Sequence, residues 1–438
     1  MLFHDKIFLF TFLPVVLLGF FLLKSKYRFI FLIISGYIFY AAWNLKFSPI
    51  IIFSILINYF FSKEIISRHD KAKKILLFLA ILFNIFYLGF FKYSDFFINN
   101  INFLFGSNIE LLNLPFPLAL SFVTFQTIAF LCDCYENNIK NLNLKKYALF
   151  IIFFPQLIAG PIVRYNQMIG QFEDGKNLNF VFKNLCIGLI VLSIGIIKKV
   201  FIADNLSIVT DQVFSDNSYL NILDCWLGSL CFTFQIYFDF SGYIDMATGI
   251  ALLFNIKLPQ NFDSPFKATG IINFWQRWHI TLTQFLTTYL YGPLLTSFKN
   301  INFLNSMITT MIVFLIAGLW HGPSWTYVIF GAMHGLGLII NHTFKRIFDL
   351  KINRFFSQII TFVYVNFTFI FFRAEDVEQA SFIIKKMLNF RSIDKLNFFS
   401  IDLTVAVIAA FIFSIIICFV LKNTNWLMSK LSLNKLLD

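Results

Sequence analysis

Long apolar runs, separated by short polar stretches, follow one another along most of this chain. A helix that crosses a membrane needs about 20 mostly apolar residues. The candidate spans cover residues 7–23, 29–47, 49–61, 75–91, 111–131, 147–163, 182–202, 220–238, 242–256, 272–291, 303–319, 325–340, 355–372 and 403–421. Several runs are too short to cross, so the pattern predicts about eleven crossings together with re-entrant pieces.

Composition supports the same conclusion. The 438 residues are 58% hydrophobic and 13% charged, whereas a soluble domain is about half apolar and about a quarter charged. No linker or change in composition divides the chain. The sequence therefore predicts an all-α integral membrane protein that forms one domain over residues 1–438.

Basic residues beside the first spans predict the orientation. Lys24, Lys26 and Arg28 follow the first apolar run, which lacks the basic start and small-residue cleavage pattern of a signal peptide. We expect this run to be retained as a span, with the N-terminus outside and the first loop in the cytoplasm. The net charge of +12 lies in short loops, which indicates contact with anionic membrane lipids and not with nucleic acid.

Two segments are unsuited to a simple spanning helix. "FFPQLIAGPIVRY" places Pro155, Gly160 and Pro161 inside an apolar run that ends on Arg164. Proline breaks the helical hydrogen-bond ladder, and such backbone survives in a membrane only where protein covers it or a cavity borders it. The second segment, "NFDSPFKATG", is a polar turn that leads into "INFWQRWHITL".

Ionisable residues inside apolar runs are candidate functional groups, because each costs about 2.5–3.5 kcal/mol on insertion scales. They are Asp239, Asp245, Arg277, His279, His321 and His334. In "FQIYFDFSGY", Gln235, Asp239 and Tyr243 recur every four residues. They therefore share one helical face, which we expect to point into the bundle.

His321 lies in "AGLWHGPSW", between Trp320 and Trp325. It is either a hydrogen-bonded interior residue or a catalytic base. Burial keeps an imidazole neutral, and a neutral ring can take a proton from a hydroxyl. The residues alone favour a structural role for His279, packed between Trp275 and Trp278, over a catalytic one, and they indicate a structural role for His334. A transporter or lipid flippase also uses broken helices and buried charges, so that class stays open at this point.

The sequence resembles the membrane-bound O-acyltransferases, in the bacterial subgroup that acts on alginate, on peptidoglycan and in D-alanyl transfer. The matching stretches lie between residues 120 and 376; they are "LSFVTFQTIAFLCDCY", "FFPQLIAGPIVRY", "IGIIKKVFIADNL", "FQIYFDFSGYIDMATGIALLF", "NFDSPF", "FWQRWHITLTQFL", "AGLWHGPSWTYVIFGAMHG" and "FFRAED". The resemblance implies spanning and re-entrant helices around a central tunnel.

The resemblance also implies roles for residues. The family's central histidine corresponds to His321 and its second histidine to His279, which would hold the thioester carbonyl or a second proton together with Asn273 or Gln276. Asp239 would orient a histidine, pair with Arg277 or make a purely structural pair. Around these we expect supporting groups at Gln235, Tyr243, Trp275, Trp278 and Trp320, and cations for the phosphates of CoA at Arg164, Lys198, Lys199 and Arg277.

The implied activity moves acetyl groups from cytoplasmic acetyl-CoA across the inner membrane for O-acetylation of a periplasmic glycan. We expect no metal and no bound cofactor. The chain has no G-x-S-x-G motif, so a periplasmic SGNH/GDSL-type O-acetyltransferase is the expected partner. Relatives often carry an Arg-Asp pair where Thr287 and Thr288 stand, a departure that favours peptidoglycan over alginate, cellulose or another exported glycan.

Overall fold

Helices form the architecture of the part of the chain that the structure describes. The structure is a computed structural model, and it describes residues 1–139, 141–215, 220–348, 352–389, 401 and 403–433. These residues contain no β-strand, and the prediction of an all-α protein is confirmed.

Twenty α-helices are present among the described residues. In chain order, α1 to α20 are Leu13–Leu22, Ser25–Ala41, Pro49–Ser67, Lys71–Phe105, Leu120–Tyr135, Leu144–Ile152, Phe154–Leu157, Tyr165–Glu173, Phe182–Ile196, Asp204–Ser215, Ile222–Leu253, Ile271–Trp275, Ile280–Phe285, Gly292–Thr296, Phe303–His321, Trp325–Ile347, Arg354–Arg373, Val377–Leu388, Val405–Ile415 and Thr424–Ser432. Wider π-helical turns occupy Phe8–Phe12, Ile197–Ala203, Leu286–Tyr291 and Ile416–Val420, and 3₁₀ turns occupy Gly175–Leu178 and Pro265–Lys267.

Five described helices are long and apolar enough to cross a membrane. They are Pro49–Ser67, Lys71–Phe105, Phe182–Ser215, Phe303–His321 and Arg354–Arg373. A bent pair, Val405–Val420 and Thr424–Ser432, turns by 62° and makes a sixth candidate if both parts form one span. Length and composition thus support a membrane protein, and the figure of about eleven crossings stays a prediction.

The described residues group into two compact units. The first consists of Met1–Leu192, Ile244–Pro259 and Leu431–Asp438, and the second of Ser193–Tyr243 and Gln260–Lys430. Helices α9 and α11 contribute residues to both. The single-domain interpretation stays a prediction.

In the first unit, the broken helix predicted at Pro155 is observed. Helix α6 ends at Ile152, and α7 begins at Phe154 with proline in its first turn, where the missing N–H costs no helical bond. Residues 153–157 are all buried. The Gln156 side chain donates to the carbonyl of Phe150 at 2.7 Å, so protein covers and partly satisfies this irregular backbone, as the membrane environment requires.

Phenylalanine rings pack around that break. Phe154 lies 5.7 Å from Phe39 and 5.8 Å from Phe254, ring centre to ring centre. Phe8 and Phe12 add edge contacts at 6.2 and 5.3 Å. Edge-to-face contacts of this kind stabilise by about 0.5–1.5 kcal/mol beyond the burial of area, and they hold the irregular segment within the first unit.

The prediction of two separate spans at 220–238 and 242–256 is wrong. The polar stretch near Gly242 suggested a boundary between two spans, but Ile222–Leu253 is one continuous helix. Gly242 is required there by packing and not by a turn. A Cβ at this position would lie 2.9 Å from the carbonyl oxygen of Gly195 and 3.1 Å from the Cβ of Lys198, so glycine lets the π-helical turn Ile197–Ala203 approach α11 closely.

Two further predicted spans are not continuous helices over their predicted length. The run at 111–131 becomes helical only at Leu120, after Ala119 in a left-handed conformation with φ of 64°. Pro115 and Pro117 precede it and cannot continue a helix. The run at 272–291 divides into α12, a turn, α13 and a π-helical turn, and that division creates the site described next.

Candidate active site

His279 lies at a sharp turn between two short helices of the second unit. It precedes α13 and has φ of 45°, a left-handed conformation that is unfavourable for a side chain with a Cβ. Such strain costs on the order of 1–3 kcal/mol and persists only where the surroundings hold it. The residue is 2% exposed, with the ring of Phe240 in edge contact at 4.8 Å.

Asn261 holds this turn in place. Its side-chain oxygen lies 3.2 Å from Nδ1 of His279 and accepts from the backbone N–H and the hydroxyl of Thr281 at 3.1 and 2.9 Å. Its backbone carbonyl accepts from the N–H of Ile280 at 2.9 Å. Because a backbone N–H can only donate, the atom that it meets is the amide oxygen, and Nδ1 of His279 must carry the proton. Nε2 is left as the basic atom.

Sequence reasoning did not assign Asn261 a role. The "NFDSPF" motif was interpreted as a polar turn and as one of the stretches shared with the family. An asparagine that opens such a turn, 18 positions before a histidine in an apolar region, was the available signal. That its partner is His279 could not be predicted, because the sequence does not show how the chain turns between the two residues.

Arg277 joins the same two segments from its own side. It donates through Nη1 to the carbonyl of Asp263 at 2.9 Å and to its carboxylate at 3.4 Å. Nε donates to the side chain of Asn273 at 3.1 Å, and Asn273 in turn donates to Gln276 at 3.3 Å. These bonds fix α12 and the turn that follows it against the "NFDSPF" segment.

Of the three roles left open for Asp239, the pairing with Arg277 is not observed, and Asp239 forms an ion pair with a different residue. Asp239 pairs with Lys199 at 2.7 Å, and Lys199 also meets Asp204 at 2.8 Å. The close approach at Gly242 brings the π-helical turn that carries Lys199 to Asp239, which explains the difference. The Asp239 side chain is 52% exposed, whereas Gln235 and Tyr243 on the same helix are half-buried.

Two of the four cations expected near CoA, Lys198 and Lys199, have protein partners in the second unit. Lys198 is buried, and its amine donates to the hydroxyl of Thr424 at 3.1 Å. Lys199 is in the carboxylate pair above. Arg164 belongs to the first unit, where it precedes α8 and is exposed. The second unit therefore leaves Arg277 as the predicted cation beside the His279 turn.

His321 is the last residue of α15, and three rings surround it. Trp320, Phe372 and Phe330 lie at 4.9, 5.1 and 5.8 Å between ring centres. Gly322 is the C-cap of α15 and is followed by Pro323, which cannot continue a helix; Ser324 caps α16 by accepting from the N–H of Thr326 at 3.3 Å. Trp325, the second tryptophan beside His321 in the sequence, is 56% exposed, and Phe330 and Phe372 lie next to the imidazole.

Gly318 sets the distance between α15 and α16. A Cβ there would lie 2.3 Å from the carbonyl oxygen of Tyr327 and 2.9 Å from the Cα of Gly331. Small residues at a crossing let two helices pack in direct backbone contact. The two helices can therefore support the His321 turn without intervening side chains.

We expect Gly318→Leu to force α15 and α16 apart and to lower the free energy of unfolding by about 1–3 kcal/mol or more. The measurement is thermal unfolding of the purified protein in detergent. Gly89→Leu is the matched control, because a Cβ at Gly89 meets nothing within 4 Å. Equal melting temperatures for the two variants would contradict the close crossing.

His334 has both ring nitrogens engaged inside the second unit. Trp275 donates its indole N–H to Nδ1 at 3.2 Å, and Nε2 lies 3.0 Å from the hydroxyl of Thr368. Nδ1 therefore accepts, which leaves the proton on Nε2. The Thr368 hydroxyl donates its own hydrogen bond to the carbonyl of Val365 at 2.7 Å. These contacts support the structural interpretation of His334.

A series of aromatic contacts connects the two predicted catalytic histidines. Trp278, next to His279 in the chain, packs on Phe369 at 5.3 Å; Phe369 stacks on Phe330 at 6.1 Å, and Phe330 meets His321. Trp278 is 5% exposed. Both imidazoles thus belong to one aromatic cluster in the second unit.

A cavity of about 310 Å³ borders α12. Trp275 and Gln276 line it together with Thr287, one of the two threonines that depart from the family pattern. Across the described residues, no group of three His, Cys, Asp or Glu side chains is placed to hold a metal ion.

Comparison with known proteins identifies the class. Residues 131–375 match the model of the membrane-bound O-acyltransferase family. The chain belongs to this family, and the protein is an acyltransferase.

Particular relatives refine this. The chain is 40% identical to the peptidoglycan O-acetyltransferase of Helicobacter pylori over 90% of its own length and 81% of that protein. It is 33% identical to the probable alginate O-acetylase AlgI of Pseudomonas aeruginosa, over 89% of this chain and 75% of that protein. It is 27% identical to the teichoic acid D-alanyltransferase of Bacillus subtilis, over 59% of this chain and 69% of that protein.

Proposed function

We propose that this acyltransferase takes acetyl groups from cytoplasmic acetyl-CoA and delivers them across the inner membrane for O-acetylation of peptidoglycan. The observation that carries the chemistry is the presence of two imidazoles, His279 and His321, in one aromatic cluster. Support for the acceptor comes from the 40% identity, over most of both chains, to a peptidoglycan O-acetyltransferase.

In this proposal, His321 acts on the accepting hydroxyl. Its neutral imidazole takes the hydroxyl proton while the oxygen attacks the thioester carbonyl. The C–S bond then breaks, and the imidazolium returns the proton to the leaving sulfur. General-base catalysis of this kind contributes about 10²–10⁴ in rate. An acyl group carried briefly on His321 itself is the variant of this step that the sequence also allows.

The role of His279 can be narrowed. Because Asn261 keeps the proton on Nδ1, a neutral His279 can accept a proton or a hydrogen bond at Nε2 but cannot donate one there. Of the two roles considered above, holding a second proton suits this tautomer better than holding the thioester carbonyl.

We infer an N-terminus outside from the basic residues Lys24, Lys26 and Arg28 that follow the first span. Because the donor is cytoplasmic, the glycan is periplasmic and the chain has no G-x-S-x-G motif, we also infer a separate periplasmic SGNH/GDSL-type O-acetyltransferase that completes the transfer. Alginate is the second candidate acceptor, favoured by the 33% identity to the alginate O-acetylase.

The test uses purified protein reconstituted in vesicles, with acetyl-labelled CoA outside. We expect protein-dependent cleavage of the thioester and labelled acetyl ester on a hydroxyl acceptor supplied inside. Peptidoglycan fragments and alginate are compared as acceptors in the presence of the periplasmic partner. Uncleaved acetyl-CoA together with accumulation of an intact solute would instead establish a transporter or flippase.

A further inference from the structure

Helix α12 is too short to be stable by itself. It has five residues, Ile271–Trp275, whereas an isolated helix needs about 12–15 residues before its hydrogen bonds offset the cost of starting it. Its N-cap is Gly270, which has no side chain to cap the helix. The turn that follows α12 carries His279 in a strained conformation that the surroundings must hold. Another element therefore has to fix α12, and its contacts in the second unit identify α16.

Asn341 of α16 fixes the beginning of α12. Its side-chain oxygen accepts from the backbone N–H of Ile272 at 3.2 Å, so it satisfies one of the donors that a helix leaves free at its start. Gly270 allows this approach, because a Cβ at Gly270 would lie 2.8 Å from that oxygen. The first turn of α12 is thus capped by a residue of another helix.

His334, also on α16, fixes the end of α12. Its Nδ1 accepts the indole N–H of Trp275 at 3.2 Å, and both side chains are buried. The imidazole is held in this orientation because Nε2 faces the hydroxyl of Thr368 on α17 at 3.0 Å. An indole N–H can only donate. Removal of the acceptor would leave a buried donor unpaired, which is unfavourable.

His334 and Asn341 act from one face of α16. They are seven positions apart, about two helical turns, which separates them by about 10 Å along the helix axis. The bonds that they accept come from Ile272 and Trp275, near the two ends of α12. The short helix is therefore held at two points, and it cannot slide along α16 without losing one of these bonds.

The contacts of α12 carry its position to the His279 turn. The Thr283 hydroxyl, in α13, lies 3.2 Å from the last carbonyl of α12 and 3.4 Å from the carbonyl of His279. The Phe274 ring is nearly parallel to the rings of His334 and Trp278, at 6.0 and 5.5 Å between centres. Trp278 directly precedes His279. A movement of α12 would therefore move the turn.

His334 also contacts an aromatic neighbour of the other predicted catalytic imidazole. The Phe330 ring meets His334 edge-on at 4.6 Å and meets His321 at 5.8 Å, ring centre to ring centre. His334 is fully buried. One buried ring thus contacts both the helix that leads to His279 and a ring that packs on His321.

We propose that His334 is a positioning residue of the acyltransfer site and that its essential property is the acceptor at Nδ1. Together with Asn341 it holds α12, and through α12 it sets the place of the His279 turn. It takes no part in the bond-making steps. The effect on the reaction rests on the proposed function of His279, whereas the placement of the turn does not.

The experiment compares three substitutions of His334 in the full-length protein. His334→Asn keeps an acceptor near the position of Nδ1, because both atoms are attached to Cγ. His334→Gln reaches instead toward the hydroxyl of Thr368 and leaves the position of Nδ1 without an acceptor. His334→Leu provides no polar atom. The control is His69→Leu, which changes an exposed imidazole between α3 and α4.

Two measurements are made on each folded variant, with the melting temperature as the check on folding. The first is the maximal rate and the KM of transfer from acetyl-CoA in reconstituted vesicles. The second is hydrogen exchange of the backbone amides over residues 276–281, followed by mass spectrometry. In this segment the N–H groups of Ile280 and Thr281 are bonded to Asn261, so a loosened turn exchanges faster.

We expect His334→Leu and His334→Gln to lower the maximal rate by about tenfold to 10²-fold, because a shift of about 1 Å in a reacting group has an effect of this size. The KM for acetyl-CoA should be unchanged, and exchange over residues 276–281 should be faster. His334→Asn should restore most of the rate and the slow exchange. His69→Leu should match the parent protein in both measurements.

Equal rates and equal exchange for His334→Asn and His334→Gln would overturn the proposal, because the ring would then only fill space. Should these variants fail to fold, the half-buried Asn341 gives the same comparison at the other end of α12. Asn341→Asp keeps the acceptor for Ile272 and should retain activity that Asn341→Ala loses; equal activity of this pair would contradict the proposal.

Failure of the proposed function gives a different result. If the parent protein never cleaves acetyl-CoA, the proposed function is wrong, and hydrogen exchange over residues 276–281 decides the role of His334. Faster exchange in His334→Gln than in His334→Asn would still show that the imidazole holds the turn, and equal exchange would refute it.

Discussion

Replacing His321 by alanine should lower the rate of acetyl transfer by about 10²–10⁴-fold, because the reaction loses its proposed base. The substitution removes a half-buried ring at the end of α15 and leaves the glycine contacts between α15 and α16 in place. Single-turnover transfer from labelled acetyl-CoA in reconstituted vesicles measures the effect.

The control for this variant is His69→Ala, which removes an exposed imidazole between α3 and α4. Both proteins should melt at closely similar temperatures. A His321→Ala protein that folds and still acetylates at the parent rate would refute the assignment of the base.

Replacing Asn261 by leucine should lower transfer by about 10²-fold, the size of effect that misplacement of a reacting group by about 1 Å produces. Leucine has a similar volume but accepts no hydrogen bond. It would release the proton position of His279 and leave the Thr281 N–H and hydroxyl without their acceptor. We expect the maximal rate to fall while the affinity for CoA is unchanged.

Asn261→Asp separates positioning from simple packing. Aspartate keeps an acceptor for the same three donors, so this variant should recover most of the activity that leucine loses. Equal activity of the two variants, with both folded, would contradict the role of Asn261 as a positioning residue.

The sequence predicted the composition of the site better than its contacts. The membrane class, the break at Pro155 and the end of α15 near His321 follow from local rules: apolar length, the missing proline N–H and the glycine that follows the helix. Each depends on residues within a few positions of one another, so the sequence alone sufficed.

Contacts between distant segments could not be predicted in the same way. Asp239 meets Lys199 because Gly242 admits a neighbouring turn, and no pattern within α11 encodes that approach. The bond from Asn261 to His279 spans 18 residues through two turns with left-handed backbone at Ser264 and His279.

The cavity beside α12 offers a route to pharmacology. Its walls are largely apolar, with the polar side chains of Gln276, Thr287 and Tyr291 among them, the kind of lining that small-molecule sites have. A compound seated there would press on Trp275, and through the short helix on the strained turn that ends at His279. Because Gln276 lines the same cavity and is one of the residues expected at the donor's thioester carbonyl, competition with the donor is the expected mode of action of such a compound.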